Sequence, residues 1–150
     1  MESVKKNRPF FKSSNNTSLM MKRLLLSLMP IVLFSIYKNG IIPYINNKTD
    51  IFGLLYPIIF ILISPLFCTL LEYIYYKFII RKKDAYDIVK NSYPYITGLI
   101  LSLILPINTP ILVLLIGCVI AIFIGKIIYG GIGKNIFNPA LVGTIFILSI

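Results

Sequence analysis

The chain has 150 residues, of which 57% are hydrophobic and only 13% charged, with a formal net charge of +10. Soluble domains carry about 25% charged residues, and the uncharged runs at residues 51–71 and 91–125 are longer than a soluble core needs. The basic residues flank apolar runs and form no stripe with interleaved aromatics, which excludes nucleic acid as a partner; the absence of histidine excludes histidine-ligated haem and histidine-based catalysis.

Residues 1–17 are polar and basic (Lys5, Lys6, Arg8, Lys12, then Ser13 to Thr17) and read as a cytoplasmic tail. A first helix is expected over residues 18–37. Lys22 and Arg23 would snorkel to the headgroups, and Pro30 is a kink that membrane helices tolerate. The first alanine of the chain is Ala85, so no small-residue cleavage site follows this run and the span is expected to stay uncleaved. Asn39-Gly40 and Asn46-Asn47-Lys48-Thr49-Asp50 predict a polar loop. A second helix covers residues 51–78 and closes on Tyr73, Tyr75 and Tyr76 beside Lys77, as an interfacial belt does. Residues 81–90 read as a charged loop.

The third apolar segment, residues 95–105, stops at Pro106. At 1.5 Å per residue it reaches only ~17 Å of a ~30 Å hydrocarbon core, which predicts a short or broken helix. A fourth helix is expected over residues 110–128, followed by a turn at Gly130-Gly131-Ile132-Gly133. A fifth begins near Asn138-Pro139 and is still running at Ile150, so it is expected to be cut off there. The fold class is therefore all-α: a polytopic helical membrane protein of about five transmembrane helices, with a tail at residues 1–17 and a membrane domain at residues 18–150.

Charge sets the expected orientation. With the N-terminus inside, thirteen basic residues fall on the inner side, including Lys77, Arg81, Lys82, Lys83, Lys90, Lys126 and Lys134. Lys38 and Lys48 alone fall outside. That is the bias that cytoplasmic loops carry.

The richest local sequence is residues 125–143, GKIIYGGIGKNIFNPALVG. It is no phosphate-binding P-loop, because Gly133-Lys134 is followed by Asn135 and the position five before Gly133 is Ile128. Nor is it a dinucleotide GxGxxG. Gly130, Gly131 and Gly133 permit positive φ, Asn138 is a good N-cap, and Pro139 suits a first helical turn. One reading is a tight loop and a well-capped helix. The other is a functional loop, in which backbone N–H groups with Lys134 and Asn135 bind an anionic or planar ligand. Glu72 is the one acid embedded in an apolar helix; it is either partnered by Lys77 or Arg81 or takes part in cation movement. Cys68 and Cys118 lack metal-ligand spacing and read as small buried hydrophobes.

Four blocks in order make the chain resemble the family of membrane subunits that includes RnfD and NqrB. They are Met20-Met21 with Leu24 to Pro30, Glu72 with its following aromatic and basic residues, and Thr97-Gly98 running to Pro106. The fourth and most specific is Gly125-Lys126 with Tyr129-Gly130-Gly131, Gly133, Asn135 and Phe137-Asn138-Pro139-Ala140-Leu141-Val142-Gly143. One departure is Asn91-Ser92-Tyr93-Pro94-Tyr95, where the family places an acidic residue before its Thr-Gly.

The resemblance implies the first half of a ten-helix fold made of two related halves, similar in architecture to urea transporters. It implies a bacterial inner-membrane subunit of a redox-driven ion translocase, which also fits an AT-rich genome encoding thirty isoleucines and three alanines. Electron transfer through FMN, with riboflavin as a further cofactor, would be coupled to Na⁺ or H⁺ movement, and the partners would be the other subunits of an Rnf- or Nqr-type complex. The family's covalent-FMN threonine lies in an S-x-A-T motif that this sequence lacks, so FMN would attach outside it. The resemblance supplies neither a catalytic residue nor a metal ligand here, and the piece alone is expected to be inactive. The short tail favours RnfD over NqrB. A urea-transporter-like channel and an inactive fragment are the other readings.

Overall fold

The computed structural model describes residues 17–149. The predicted tail therefore lies outside the described residues except for Thr17, which opens the first helix, and Ile150 lies outside them too. Helix α1 (Thr17–Ile36) runs through a π-helical turn (Tyr37–Ile41) into a single turn, α2 (Ile42–Ile45). The result is one apolar rod of 29 residues, about 44 Å long at 1.5 Å per residue. This corrects the loop expected at Asn39-Gly40. The helix continues because Gly40 is buried against α3 (Ile51–Ile74): a Cβ there would sit 2.9 Å from the Leu54 carbonyl oxygen. Packing overrides the turn propensity of Asn-Gly.

Helix α3 also continues, through a π turn at Tyr75–Ile79, into a second rod of 29 residues. The segment read as a charged loop instead contains a short amphipathic helix, α4 (Ala85–Ser92), which buries Ala85, Val89 and Ser92. Tyr93, in left-handed conformation (φ 50°), ends α4 and aims the chain into α5 (Pro94–Ile104). Proline at the first position of α5 has no N–H to satisfy, and the Ile96 N–H donates to the Tyr93 carbonyl at 3.2 Å. Helix α6 (Ile111–Ile122) runs into a third π turn (Phe123–Ile127), and α7 (Pro139–Leu148) closes the described chain. Asn138 caps α7 as expected, its Oδ1 accepting from the Ala140 N–H at 3.0 Å. The predicted short third helix is α5. With 11 residues, α5 is long enough for about half of a hydrocarbon core.

The core lies between α3, α5, α6 and α7, around Phe60, Cys68, Leu101, Leu114, Cys118 and Ile147. Cys68 and Cys118 are both wholly buried there, as read from the sequence. Close approach depends on residues without side chains. Gly98 lies against the Ser64–Pro65 backbone, Gly143 against the Gly117 carbonyl, and Gly125 against Pro139, the small-residue packing that membrane helices use.

The surface of the molecule is more apolar than that of a soluble bundle. Helix α1 buries none of its residues, and Leu26, Leu33, Phe34, Phe52, Leu66 and Leu112 are exposed. Buried beside the apolar core are Ser64, Glu72, Ser92, Thr97, Ser102, Lys126 and Thr144. Such a surface aggregates in water and is at rest in lipid, where polar groups turn inward to find one another.

Candidate functional site

Glu72 lies in the last turn of α3 with 0% of its surface exposed. A carboxylate so placed requires a partner, and the partner is Lys126, itself only 3% exposed. Lys126 Nζ donates to Glu72 Oε2 at 2.8 Å and to the Ser92 carbonyl at 2.7 Å. Ser92 Oγ donates to the other carboxylate oxygen, Glu72 Oε1. Both carboxylate oxygens are therefore bonded, and the ammonium uses two of its three N–H groups.

This corrects two expectations. Lys77 and Arg81 do not pair with Glu72; Lys77 instead lies over the Tyr73 and Phe78 rings. Lys126, counted among the inner-loop cations, belongs to the interior. The π turn at Phe123–Ile127 is the local cause. Its wider winding turns two consecutive residues inward, Gly125 onto Pro139 and Lys126 onto Glu72. Ser92 contributes as the last residue of α4, whose final carbonyls have no intrahelical partner and carry the negative end of the helix dipole.

The glycine loop begins directly after this turn. Gly131 N–H donates to the Lys126 carbonyl at 3.1 Å and Gly130 N–H to the Ile127 carbonyl at 2.9 Å. These two bonds, with Gly130 at φ +95°, form a Schellman cap on the segment that carries Lys126. Gly130→Ala is accordingly expected to destabilise the fold by about 1–2 kcal/mol, the cost of a Cβ in left-handed backbone. Thermal unfolding in detergent would check it, and an unchanged midpoint would contradict the capping role.

Two cavities flank the ion pair. One, of about 260 Å³, is lined by the polar residues Ser92, Thr97, Lys126, Asn135 and Asn138 together with Pro139 and the apolar Met21, Leu24, Ile96 and Ile100. The other, of about 450 Å³, is lined by Tyr76, Lys82, Asp87, Ser92, Gly130 and Gly131. The predicted loop residues thus divide. Asn135, Asn138 and Pro139 face the first cavity and Gly130 and Gly131 the second, while Gly133 and Lys134 are exposed and line neither. Thr97 is 9% exposed and lines the first cavity.

Ser92 and Lys126 are the residues that sequence reasoning missed as members of the site. One signal was available: Lys126 has apolar residues on both sides, unlike the basic clusters at residues 5–12 and 81–83. Ser92 gave no signal, being one serine in a polar run.

Two long apolar helices with exposed hydrophobic faces, and a buried ion pair, define an integral membrane protein of the helical type. The chain belongs to the NQR2, RnfD, RnfE family, whose sequence profile it matches over residues 4–150. It is 31% identical over 140 residues to the RnfD subunit of the ion-translocating oxidoreductase complex of Mannheimia succiniciproducens, covering 93% of this chain and 35% of the relative. Against the subunit of the same name from Buchnera aphidicola subsp. Schizaphis graminum it is 30% identical over 148 residues, 99% of this chain and 38% of the relative. With that of Actinobacillus succinogenes the identity is 41% over 69 residues, 46% of this chain and 19% of the relative. The chain thus spans little more than a third of the curated relatives it matches along most of its length.

Proposed function

We propose that this chain supplies the N-terminal membrane portion of an RnfD-like subunit, in a bacterial inner-membrane complex that couples flavin-mediated electron transfer to Na⁺ or H⁺ movement. The observation that carries the reading is the profile match along residues 4–150, joined by relatives named as RnfD subunits of an ion-translocating oxidoreductase complex. The N-terminus is cytoplasmic in this reading, which puts the Gly130–Asn138 loop, Lys77 and Lys82 on the inner face.

The 260 Å³ cavity fits one edge of a flavin ring. Its apolar wall suits a planar aromatic face. Its polar lining offers donors to ring carbonyl oxygens and nitrogens: the Thr97 hydroxyl, the Asn138 amide NH₂, and the third N–H of Lys126. A flavin held there would supply one-electron transfer. The residues of this chain would orient the ring and exclude water from it, and Lys126 would hold positive charge beside it. Covalent FMN would be carried by another part of the subunit, since the S-x-A-T motif is absent from this sequence.

The test is Thr97→Val in the full-length subunit within its complex, with the non-covalent flavin released and quantified by chromatography. Loss of that bond is expected to weaken flavin retention about tenfold, equivalent to ~1.4 kcal/mol. In-gel fluorescence after denaturation separates covalent FMN, which the substitution leaves in place. A complex that carries no non-covalent flavin, or a variant that keeps all of it, would overturn the assignment of this cavity.

A further inference from the structure

We propose that Glu72, Ser92 and Lys126 form a monovalent-cation site, with the Lys126 ammonium as its tethered occupant. The position of Lys126 Nζ is defined by oxygen atoms alone, Glu72 Oε2 at 2.8 Å and the Ser92 carbonyl at 2.7 Å. Carboxylate and backbone carbonyl oxygens are the donors that replace the hydration shell of an alkali cation. The negative charge is fixed in place, because the Ser92 hydroxyl holds the other carboxylate oxygen and the end of α4 adds the negative end of its dipole. An ammonium on a flexible stem is a compact point charge, similar in size to a potassium ion.

The surroundings allow exchange. Ser92 lines both flanking cavities, and Lys126 lines the smaller one. The lysine stem therefore has about 260 Å³ into which to withdraw. A cation would enter from the larger cavity, whose wall carries Asp87 and Lys82. Exchange conserves the charge at the carboxylate: one cation arrives as one ammonium leaves. The stem would withdraw into the cavity assigned above to a flavin edge, so exchange belongs to the flavin-free cavity, and cation binding by Lys126→Met is measured separately from flavin retention by Thr97→Val.

Lys126→Met in the full-length protein, purified with its complex in choline chloride, tests this by equilibrium dialysis against radioactive sodium or rubidium. The variant is expected to bind about one more cation per chain than wild type, one being the capacity of a single carboxylate and carbonyl pair. Adding Glu72→Gln is expected to remove that gain, and Lys126→Arg, which keeps the tethered charge, is expected to show none. Sodium or potassium chloride is also expected to raise the thermal midpoint of Lys126→Met relative to choline chloride at equal ionic strength, with little effect on wild type. If Lys126→Met does not assemble, Lys126→Gln takes the same measurements. An assembled variant that binds no additional cation, a gain that survives Glu72→Gln, or an instability in choline that neither sodium nor potassium relieves would each overturn the proposal.

Discussion

Glu72→Ala is expected to destabilise the folded protein by about 3–5 kcal/mol, because it strands the buried ammonium of Lys126 without a counter-charge. Lys126 has lost nearly all contact with the surface, at 3% exposure, and its remaining partner would be the Ser92 carbonyl. The size of the effect reports what one partner costs without the other, and not what the pair contributes. Glu72→Leu combined with Lys126→Met is therefore expected to return to within about 1 kcal/mol of wild type, since apolar residues of similar volume replace buried ion pairs at little cost. Ser92→Ala removes one charge-assisted bond to Glu72 Oε1 and is expected to fall between, at about 1.5–3 kcal/mol. Unfolding followed by helical circular dichroism in mild detergent would rank the variants. A Glu72→Ala protein as stable as the double variant would contradict the pairing.

Gly98→Ala is expected to cost about 1–3 kcal/mol or more through overpacking, although alanine is the better helix former. A Cβ at Gly98 would lie 2.5 Å from the Ser64 carbonyl oxygen and 2.7 Å from both Pro65 N and Pro65 Cα. All three are backbone atoms of α3, so relief requires the two helices to part. Parting them also stretches the bond from Ser64 Oγ to the Gly98 carbonyl, now 2.7 Å. Gly117 offers the contrast. A Cβ there would come closer still to its nearest atom, at 2.1 Å, but that atom is Ile147 Cδ1, the far end of a flexible side chain. Gly117→Ala is expected to cost less than about 1 kcal/mol, because a rotamer change absorbs the clash. Equal losses at the two positions would show that the rigidity of the neighbour is not what decides them.

The corner at Tyr93 connects these two effects to the candidate site. Ser92 ends α4 and Pro94 begins α5, so the residue that bonds Glu72 lies six positions before the glycine that sets the distance between α3 and α5. Gly125 and Lys126 repeat the arrangement on the opposite wall, one holding Pro139 close and the other reaching Glu72.

Much of this architecture was legible in the order of residues. Lipid admits few backbone solutions, and the helical one leaves long apolar runs with charged ends. The long apolar helices, the short helix ending before Pro106, the glycine turn and the Asn138 cap followed from patterns within about twenty residues of one another, and the family from four blocks in order between Met20 and Gly143. The errors were local rules overruled by packing. Asn39-Gly40 stays helical because Gly40 is pressed against α3, and residues 85–92 fold into a helix because one face of it is covered.

What only the tertiary structure decided is the content of the interior. Glu72 announced that a partner was needed, since a lone carboxylate in lipid is too costly, and Lys77 and Arg81 were the candidates near it in the chain. The partners lie 20 and 54 residues away. No periodicity encodes such a separation. It depends on a π turn that rotates Lys126 inward, a left-handed Tyr93 that ends α4 at Ser92, and glycines that let the helices close until the two charges meet. The sequence by itself determined that this chain lives in a membrane and to which family it belongs; the packing of its helices determined where its buried charge is held.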